Sequence, residues 1–216
     1  MCGIFALFQA MYPSKYASIC DSLETHCNYG KSRGPEFSTM KQINDNTLFG
    51  FHRLAINGLD DDSNQPICID GIYLICNGEI YNYKSIYKLL NVIPKTNSDC
   101  ESIIHMYKKY GIEYTLQNLD GVFAFVLYDK NTESTFIGRD PIGIRPLFWE
   151  RNNKDKHVLS VCSEIKGFHT PDRYRSNINI EVFPPNNCYS VVGNDTPGIQ
   201  EEYSDIYKSI DSTLSS

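Results

Sequence analysis

Several signatures are missing from this sequence, and each absence closes off a class of function. No two cysteines are spaced as CxxC and no two histidines as HxxxH; His26, His52, His105, His157 and His169 are scattered singly. A zinc or other soft-metal site is therefore not expected. No run of Lys and Arg relieves an excess of 26 Asp and Glu over 20 Lys and Arg, a formal charge of −6. That balance opposes phosphate backbones, so nucleic acid is not an expected partner. No stretch of about 18 apolar residues is present to cross a membrane, and the apolar start MCGIFALFQAMY lacks the positive flank and cleavage site of a secretory signal. Nor is there a GxxxxGK[ST] loop to cradle phosphates.

What is present is an ordinary globular composition: 216 residues, 41% hydrophobic and 21% charged. That is enough for one large domain, expected over residues 1–200, followed by a polar, acidic, Ser-rich linker or frayed tail at 201–216. Of eight cysteines, Cys20, Cys68, Cys76 and Cys162 sit inside apolar segments, as small reduced core residues do. This pattern fits a reducing, cytoplasmic location better than a disulfide framework.

Residues 3–9 read as a buried strand. Tyr16, Ile19, Cys20, Leu23 and Cys27 recur at three and four, the face of an amphipathic helix over 14–27 that stops near Gly30. Phe49, Phe51 and Leu54 suggest another strand, and Ile67–Ile69 and Ile72 to Cys76 flank an Asp70-Gly71 turn in hairpin fashion. Helices follow near 83–93 and 99–110, separated by Pro94, the second opening with Ser98 and Glu101 at capping-box spacing. VFAFVLYD, STFIGRD, IRPLFWE and HVLSVCSE then read as four strands of a second antiparallel group, with a short helix near Ile165.

Candidate chemistry begins at Cys2. Removal of Met1 leaves one residue with both a thiol and an α-amine, groups whose ordinary pKa values, about 8.5 and about 7.7–8.0, allow one to activate the other. On position alone Cys2 reads better as a small apolar residue leading the first strand, and it is the motifs that follow which reverse that. Asn77-Gly78 is the strongest short signal for a hairpin turn, or else a pair of donors, side-chain amide and backbone N–H, for an oxyanion. Arg53 is either a surface cation or a planar fork for a carboxylate. Asp99 is either a first-turn acid favoured by the helix dipole or the partner of an ammonium group. Together the four describe a site for an amino acid with a side-chain carbonyl, such as glutamine.

MCGIFALF, SRGPE, GFHRLA, NGEIYNY, SDCE, LDGVFAFVLYD, GRDPIGIRPLF and VCSEIKG occur in this order. The set resembles the N-terminal glutaminase domain of glutamine-hydrolysing asparagine synthetases, class II glutamine amidotransferases, over residues 1 to about 193. The resemblance implies an α+β fold of the N-terminal-nucleophile type, an αββα sandwich of two stacked antiparallel sheets flanked by helices. It implies hydrolysis of L-glutamine to glutamate and ammonia, with Cys2 as nucleophile through a γ-glutamyl thioester. By the same resemblance Asn77 and Gly78 form the oxyanion hole, and Arg53 clamps the substrate carboxylate. Leu54, Ala55, Ile56 and Asn57 then close over glutamine, while Glu79 and Asp99 bind its ammonium end. No metal and no cofactor are expected for this domain.

The sequence departs from the family in three places. SRGPE replaces the usual HRGPD, which removes a histidine and lengthens an acid at Glu36. LAINGLDDDSNQP is unusually polar and acidic, which predicts a more mobile lid. No SGG-x-DS loop follows, so the synthetase domain, with its ATP and Mg, is expected in another chain or in a longer one; a homodimer is also compatible. Two alternatives stay open: a catalytically silent glutamine-binding or regulatory module, and a hydrolase of another amide.

Overall fold

The structure, a computed structural model, describes residues 1–8, 24–152, 158–168, 178–192 and 198–204. Its strands, numbered in chain order, form two sheets of six. The first runs β10 (Ile178–Val182), β8 (Phe148–Asn152), β9 (Val158–Cys162), β1 (Gly3–Phe8), β3 (Thr47–Arg53) and β2 (Phe37–Asn44). The second runs β12 (Gly198–Ser204), β11 (Asn187–Val192), β7 (Ser134–Arg139), β6 (Gly121–Asp129), β5 (Ile72–Ile80) and β4 (Ile67–Ile69). Every pairing is antiparallel.

Side-chain alternation along these strands creates separate apolar layers. Ile4, Ala6 and Phe8 of β1, Phe49 and Phe51 of β3, Ile75 of β5 and Ala124 and Val126 of β6 meet between the sheets. The opposite parity on β5 and β6, Leu74, Cys76, Phe123, Phe125 and Leu127, faces outward onto helices α1 (Tyr83–Leu90) and α2 (Glu101–Asn118), meeting Ile86, Ile103, Ile104 and Leu116. On the other outer face, Phe5 and Leu7 pack with Cys27, from a helical turn at 24–28. Burying side chains of this size contributes about 1.5–3 kcal/mol each relative to exposure. The expected sandwich is thus the observed one. The helix expected at 14–27 is described only in its last turn; its other face residues, Tyr16, Ile19, Cys20 and Leu23, lie outside the described residues.

Several local expectations need correction. The four strands after residue 122 do not form one group: β6 and β7 pair with β5, whereas β8 and β9 cross to join β1. The helix expected at 99–110 does end there, at Gly111, which is not helical with φ at 80°; what the sequence did not announce is the second helical stretch that carries α2 on to Asn118. Ser98 and Glu101 form no capping box. Glu101 instead accepts from the backbone N–H groups of Lys95 and Thr96, at 2.7 and 2.6 Å, and bonds His105 at 2.8 Å. Burial pushes its carboxyl up, but these bonds more than offset that and hold it below its ordinary range. Residues 201–204 continue β12 rather than opening the tail, and 205–216 lie outside the described residues. The Asp70-Gly71 hairpin is present, with φ of 51° and 83° at the two turn residues.

Candidate active site

The alternation that fills the space between the sheets also aims the site. Cys2 has the parity of Ile4 and Ala6, Arg53 that of Phe49 and Phe51, and Asn77 that of Ile75. All three therefore point inward at one end of the sandwich, where the apolar filling stops. They line a pocket with about 470 Å³ of atom-free space, part of it open to solvent, together with Leu54, Ile56, Asn57, Gly78, Glu79 and Asp99. The residues singled out by sequence converge, with one exception: Ala55 does not line the pocket, and its N–H donates to Glu36 Oε2 at 2.9 Å.

Asn77-Gly78 is not a turn. Both residues lie inside β5, opposite Ala124 and Phe123 of β6. Cys76 exchanges both backbone bonds with the Gln65 side-chain amide, at 2.5 and 3.2 Å, and Ile80 N–H donates to Asp99 Oδ2 at 2.6 Å. Both groups lie on the side of β5 away from β6. Because ladder direction alternates every residue, Gly78, midway between them, also turns its N–H toward that edge, where the pocket opens. A Cβ at Gly78 would stand 2.5 Å from the Val122 carbonyl oxygen, so only glycine lets the strands approach this closely. Asn77 is buried, and its Nδ2 has no hydrogen-bond partner. An orphaned buried amide donor costs about 1–3 kcal/mol, a cost that a bound acceptor removes.

Arg53 repeats the pattern. One guanidinium nitrogen, Nη1, donates to the Asp60 carbonyl at 2.9 Å and to Asn64 Oδ1 at 2.7 Å, which fixes the plane of the fork. The other, Nη2, is buried and unpartnered. The polar stretch after Arg53, expected to be a looser lid, is tied down at Asp60. The Asp60 carboxylate accepts from Ser63 N–H and Oγ, both at 2.9 Å, and from Asn97 Nδ2 at 2.7 Å.

The Cys2 thiol lies 3.4 Å from both the Leu54 N–H nitrogen and the Leu54 carbonyl oxygen. Burial pushes its pKa up, the Leu54 N–H offsetting this only in part. The thiol is thus protonated at neutral pH and needs a base. Arg33 of the SRGPE segment donates from Nε to the Cys2 carbonyl at 3.0 Å and pairs with Glu164 at 3.2 Å. Glu36, at the end of that segment, props the chain after Arg53 through Ala55. Both contacts give the segment a positioning role that sequence left undecided.

At the acidic end, burial raises the Asp99 carboxyl, against hydrogen bonds from Ile80 N–H, its own backbone and the Asn57 side chain. Glu79 pairs with Arg145 Nη2 at 2.9 Å. Arg145 and Gln65 were not anticipated. Arg145 sits in a quoted motif without a role, and Gln65 acts as a side-chain stand-in for a strand neighbour, which no local pattern reveals. Among the described residues, no group of three or more His, Cys, Asp or Glu is placed to hold a metal ion, and no helix is long and apolar enough to cross a membrane.

Comparison with known proteins agrees with this geometry. A family model described as a glutamine amidotransferase domain matches residues 1–202. The glutamine-hydrolysing asparagine synthetase of Mesocricetus auratus is 40% identical over 176 residues, 77% of this chain and 29% of that protein. Those of Pongo abelii and Homo sapiens are 41% and 40% identical over 179 residues, 79% of this chain and 30% of theirs. This chain thus spans under a third of the length of these relatives. Among solved structures, glutamine phosphoribosylpyrophosphate amidotransferase from B. subtilis superposes with a TM-score of 0.68 at 17% identity, over 94% of this chain and 49% of that one. A structure described as the allosteric regulatory enzyme of purine biosynthesis gives 0.63 at 15% identity, with the same coverage. With a family match across nearly its whole length and this identity to the synthetases, the chain belongs to the glutamine amidotransferase domain family and is homologous to the glutaminase region of glutamine-hydrolysing asparagine synthetases.

Proposed function

We propose that this chain hydrolyses L-glutamine to L-glutamate and ammonia, with the thiol of Cys2 as nucleophile after removal of Met1. The observation that carries this reading is the pair of buried, unpartnered donors, Asn77 Nδ2 and Arg53 Nη2, in the pocket that also holds the Cys2 thiol. Arg53 takes the α-carboxylate, and Asp99 and Glu79 take the α-ammonium. Leu54, Ile56 and Asn57 form one wall against the substrate stem, with Ala55 behind them.

The α-amine of Cys2 accepts the thiol proton as sulfur attacks the side-chain carbonyl carbon. Asn77 Nδ2 and the Gly78 N–H stabilise the resulting oxyanion, each donor worth about 100- to 1,000-fold in rate. Collapse breaks the C–N bond, and the amine returns its proton to the departing ammonia. Water then hydrolyses the γ-glutamyl thioester and frees the thiol. No cofactor takes part in these steps. ATP and Mg belong with the synthetase domain that we propose receives the ammonia, in cis or in trans, for asparagine synthesis. The described cysteines are free thiols, in keeping with a reducing, cytoplasmic setting.

The test is intact mass before and after incubation with 6-diazo-5-oxo-norleucine, followed by peptide mapping. A chain lacking Met1 that carries one adduct on Cys2 is the expected result. A processed chain that takes no adduct would refute the reading in favour of a silent module.

A further inference from the structure

The segment that follows the Arg53 clamp braces three walls of the pocket within six residues. The Asp60 carboxylate accepts from Asn97 Nδ2 at 2.7 Å and the Ser63 hydroxyl from Asn97 N–H at 3.2 Å, which holds the turn before α2. Asn64 Oδ1 accepts from Arg53 Nη1 at 2.7 Å. Gln65, only 6% exposed, bonds the Cys76 backbone with both ends of its amide. Asn64 is extended, with φ −68° and ψ 140°, so its side chain and that of Gln65 leave the chain on opposite sides. One reaches Arg53 and the other reaches β5.

The β4–β5 register gives the second contact its consequence. The two strands pair from Ile69 opposite Ile72 to Ile67 opposite Leu74, and the ladder stops there. Continued in that register, the backbone would set Gln65 against Cys76 and Ser63 against Gly78. Instead the Gln65 side-chain amide takes the Cys76 pair, and Ser63 lies in a 3₁₀ turn, Asp61–Ser63. A strand backbone there would take up the Gly78 N–H, because Cys76 and Gly78 turn their backbone groups to the same edge. One pair further on, Ile80 N–H is again met by a side chain, Asp99 Oδ2 at 2.6 Å.

We infer that Gln65 and Asn64 are positioning residues with separate tasks: Gln65 ends the β4–β5 ladder one pair short of Gly78, which keeps that N–H for the oxyanion, and Asn64 sets the Arg53 fork for the carboxylate. The assignment rests on the glutaminase reading. Each residue acts through another. Without the Gln65 amide, the backbone N–H and carbonyl of buried Cys76 lose their partners, and the strand must shift to find others, carrying Asn77 and Gly78 with it. Without the Asn64 oxygen, Arg53 Nη1 keeps the Asp60 carbonyl alone, and the fork can swing about that single bond.

Steady-state glutamine hydrolysis by the processed wild-type, Gln65→Leu and Asn64→Ala chains tests this. Gln65→Leu is expected to lower kcat by about 100-fold, the effect of a displacement of about 1 Å at a reacting centre, with KM nearly unchanged. Asn64→Ala is expected to raise KM by about tenfold, the worth of one hydrogen bond to a charged group, with kcat nearly unchanged. Residues that served only the fold would not divide the two parameters in this way. A Gln65→Leu loss carried by KM, an Asn64→Ala loss carried by kcat, or no loss in either variant overturns the assignment. Where Gln65→Leu does not fold, Gln65→Asn decides: its amide, one methylene shorter, reaches Cys76 only by drawing β5 out of place, so kcat falls while KM holds, and an unchanged kcat overturns the assignment. A wild-type chain that releases no ammonia from glutamine refutes the function proposed above. Calorimetric glutamine affinities of the wild-type and Asn64→Ala chains then still decide the clamp, weaker binding by about tenfold supporting it and equal binding overturning it.

Discussion

A thiol that burial keeps protonated cannot attack an amide unaided, so the rate at Cys2 should follow its base. Deprotonation of the α-amine sets an expected rise of kcat/KM with pH through about 7.7–8.0, the ordinary range of that group. A chain retaining Met1 has an amide nitrogen in that place and should show neither the rise nor turnover; a pH–rate profile of both forms checks this. Arg53 and Asn77 separate by kinetic parameter. Arg53→Ala removes a buried charge clamp, at a cost of about 2–5 kcal/mol, so KM should rise by about 30-fold to several thousand-fold with kcat less affected. Asn77→Ala should leave KM nearly unchanged and lower kcat by about 100- to 1,000-fold, because its donor serves the oxyanion.

Asp99 gives the acid side of the profile. Burial raises its carboxyl, whereas an ammonium group favours the carboxylate, so glutamine competes with a proton for Asp99 wherever the pH lies below its folded pKa. KM should therefore climb as pH falls through the folded pKa of Asp99. Asp99→Asn should raise KM at all pH values and flatten that limb.

Among the elements, β5 carries the most consequence per residue. Gly78→Ala places a methyl group 2.5 Å from the Val122 carbonyl oxygen and 2.7 Å from the Phe123 Cα, against backbone that cannot rotate away. The strands must separate, at a cost of about 1–3 kcal/mol, and the N–H aimed at the pocket moves with them. Denaturant unfolding and kcat should both fall together for this variant, whereas Asn77→Ala should change kcat far more than stability.

The same strand shows what sequence can and cannot reveal. Alternation along residues 72–76 and the Asp70-Gly71 turn were legible because both are local. Asn77-Gly78 looked like a second turn because its dipeptide signal is also local, while the reason for the glycine, the closeness of β6, is not. The separation of β8 and β9 from β7 is hidden likewise: spacing marks a strand but not its neighbour. The pocket residues were legible through ordered motifs, each of which marks one wall. Gln65 and Arg145 were not, since they act on Cys76 and Glu79 across the fold.

At the scale of the whole molecule, the pocket is built from both sheets and from the chain between α1 and α2. Cys2, just ahead of β1, and Arg53 of β3 come from the side of the first sheet, Asn77 and Glu79 from β5 of the second, and Asp99 from the turn just before α2. A ligand bridging all of them binds only when the sheets are stacked, so it must stabilise the folded state as a unit. The Cys2→Ala chain, which binds without turnover, allows this to be measured. At glutamine concentrations near 100 times Kd, linkage gives about 2.7 kcal/mol. For a domain of this size that corresponds to a rise in Tm of about 5–10 °C. Adding Arg53→Ala to that chain removes the clamp and should abolish most of the shift at the same glutamine concentration, while Tm without ligand changes less. A shift that survives the double substitution would place glutamine somewhere other than this pocket, because no other contact proposed for its carboxylate remains.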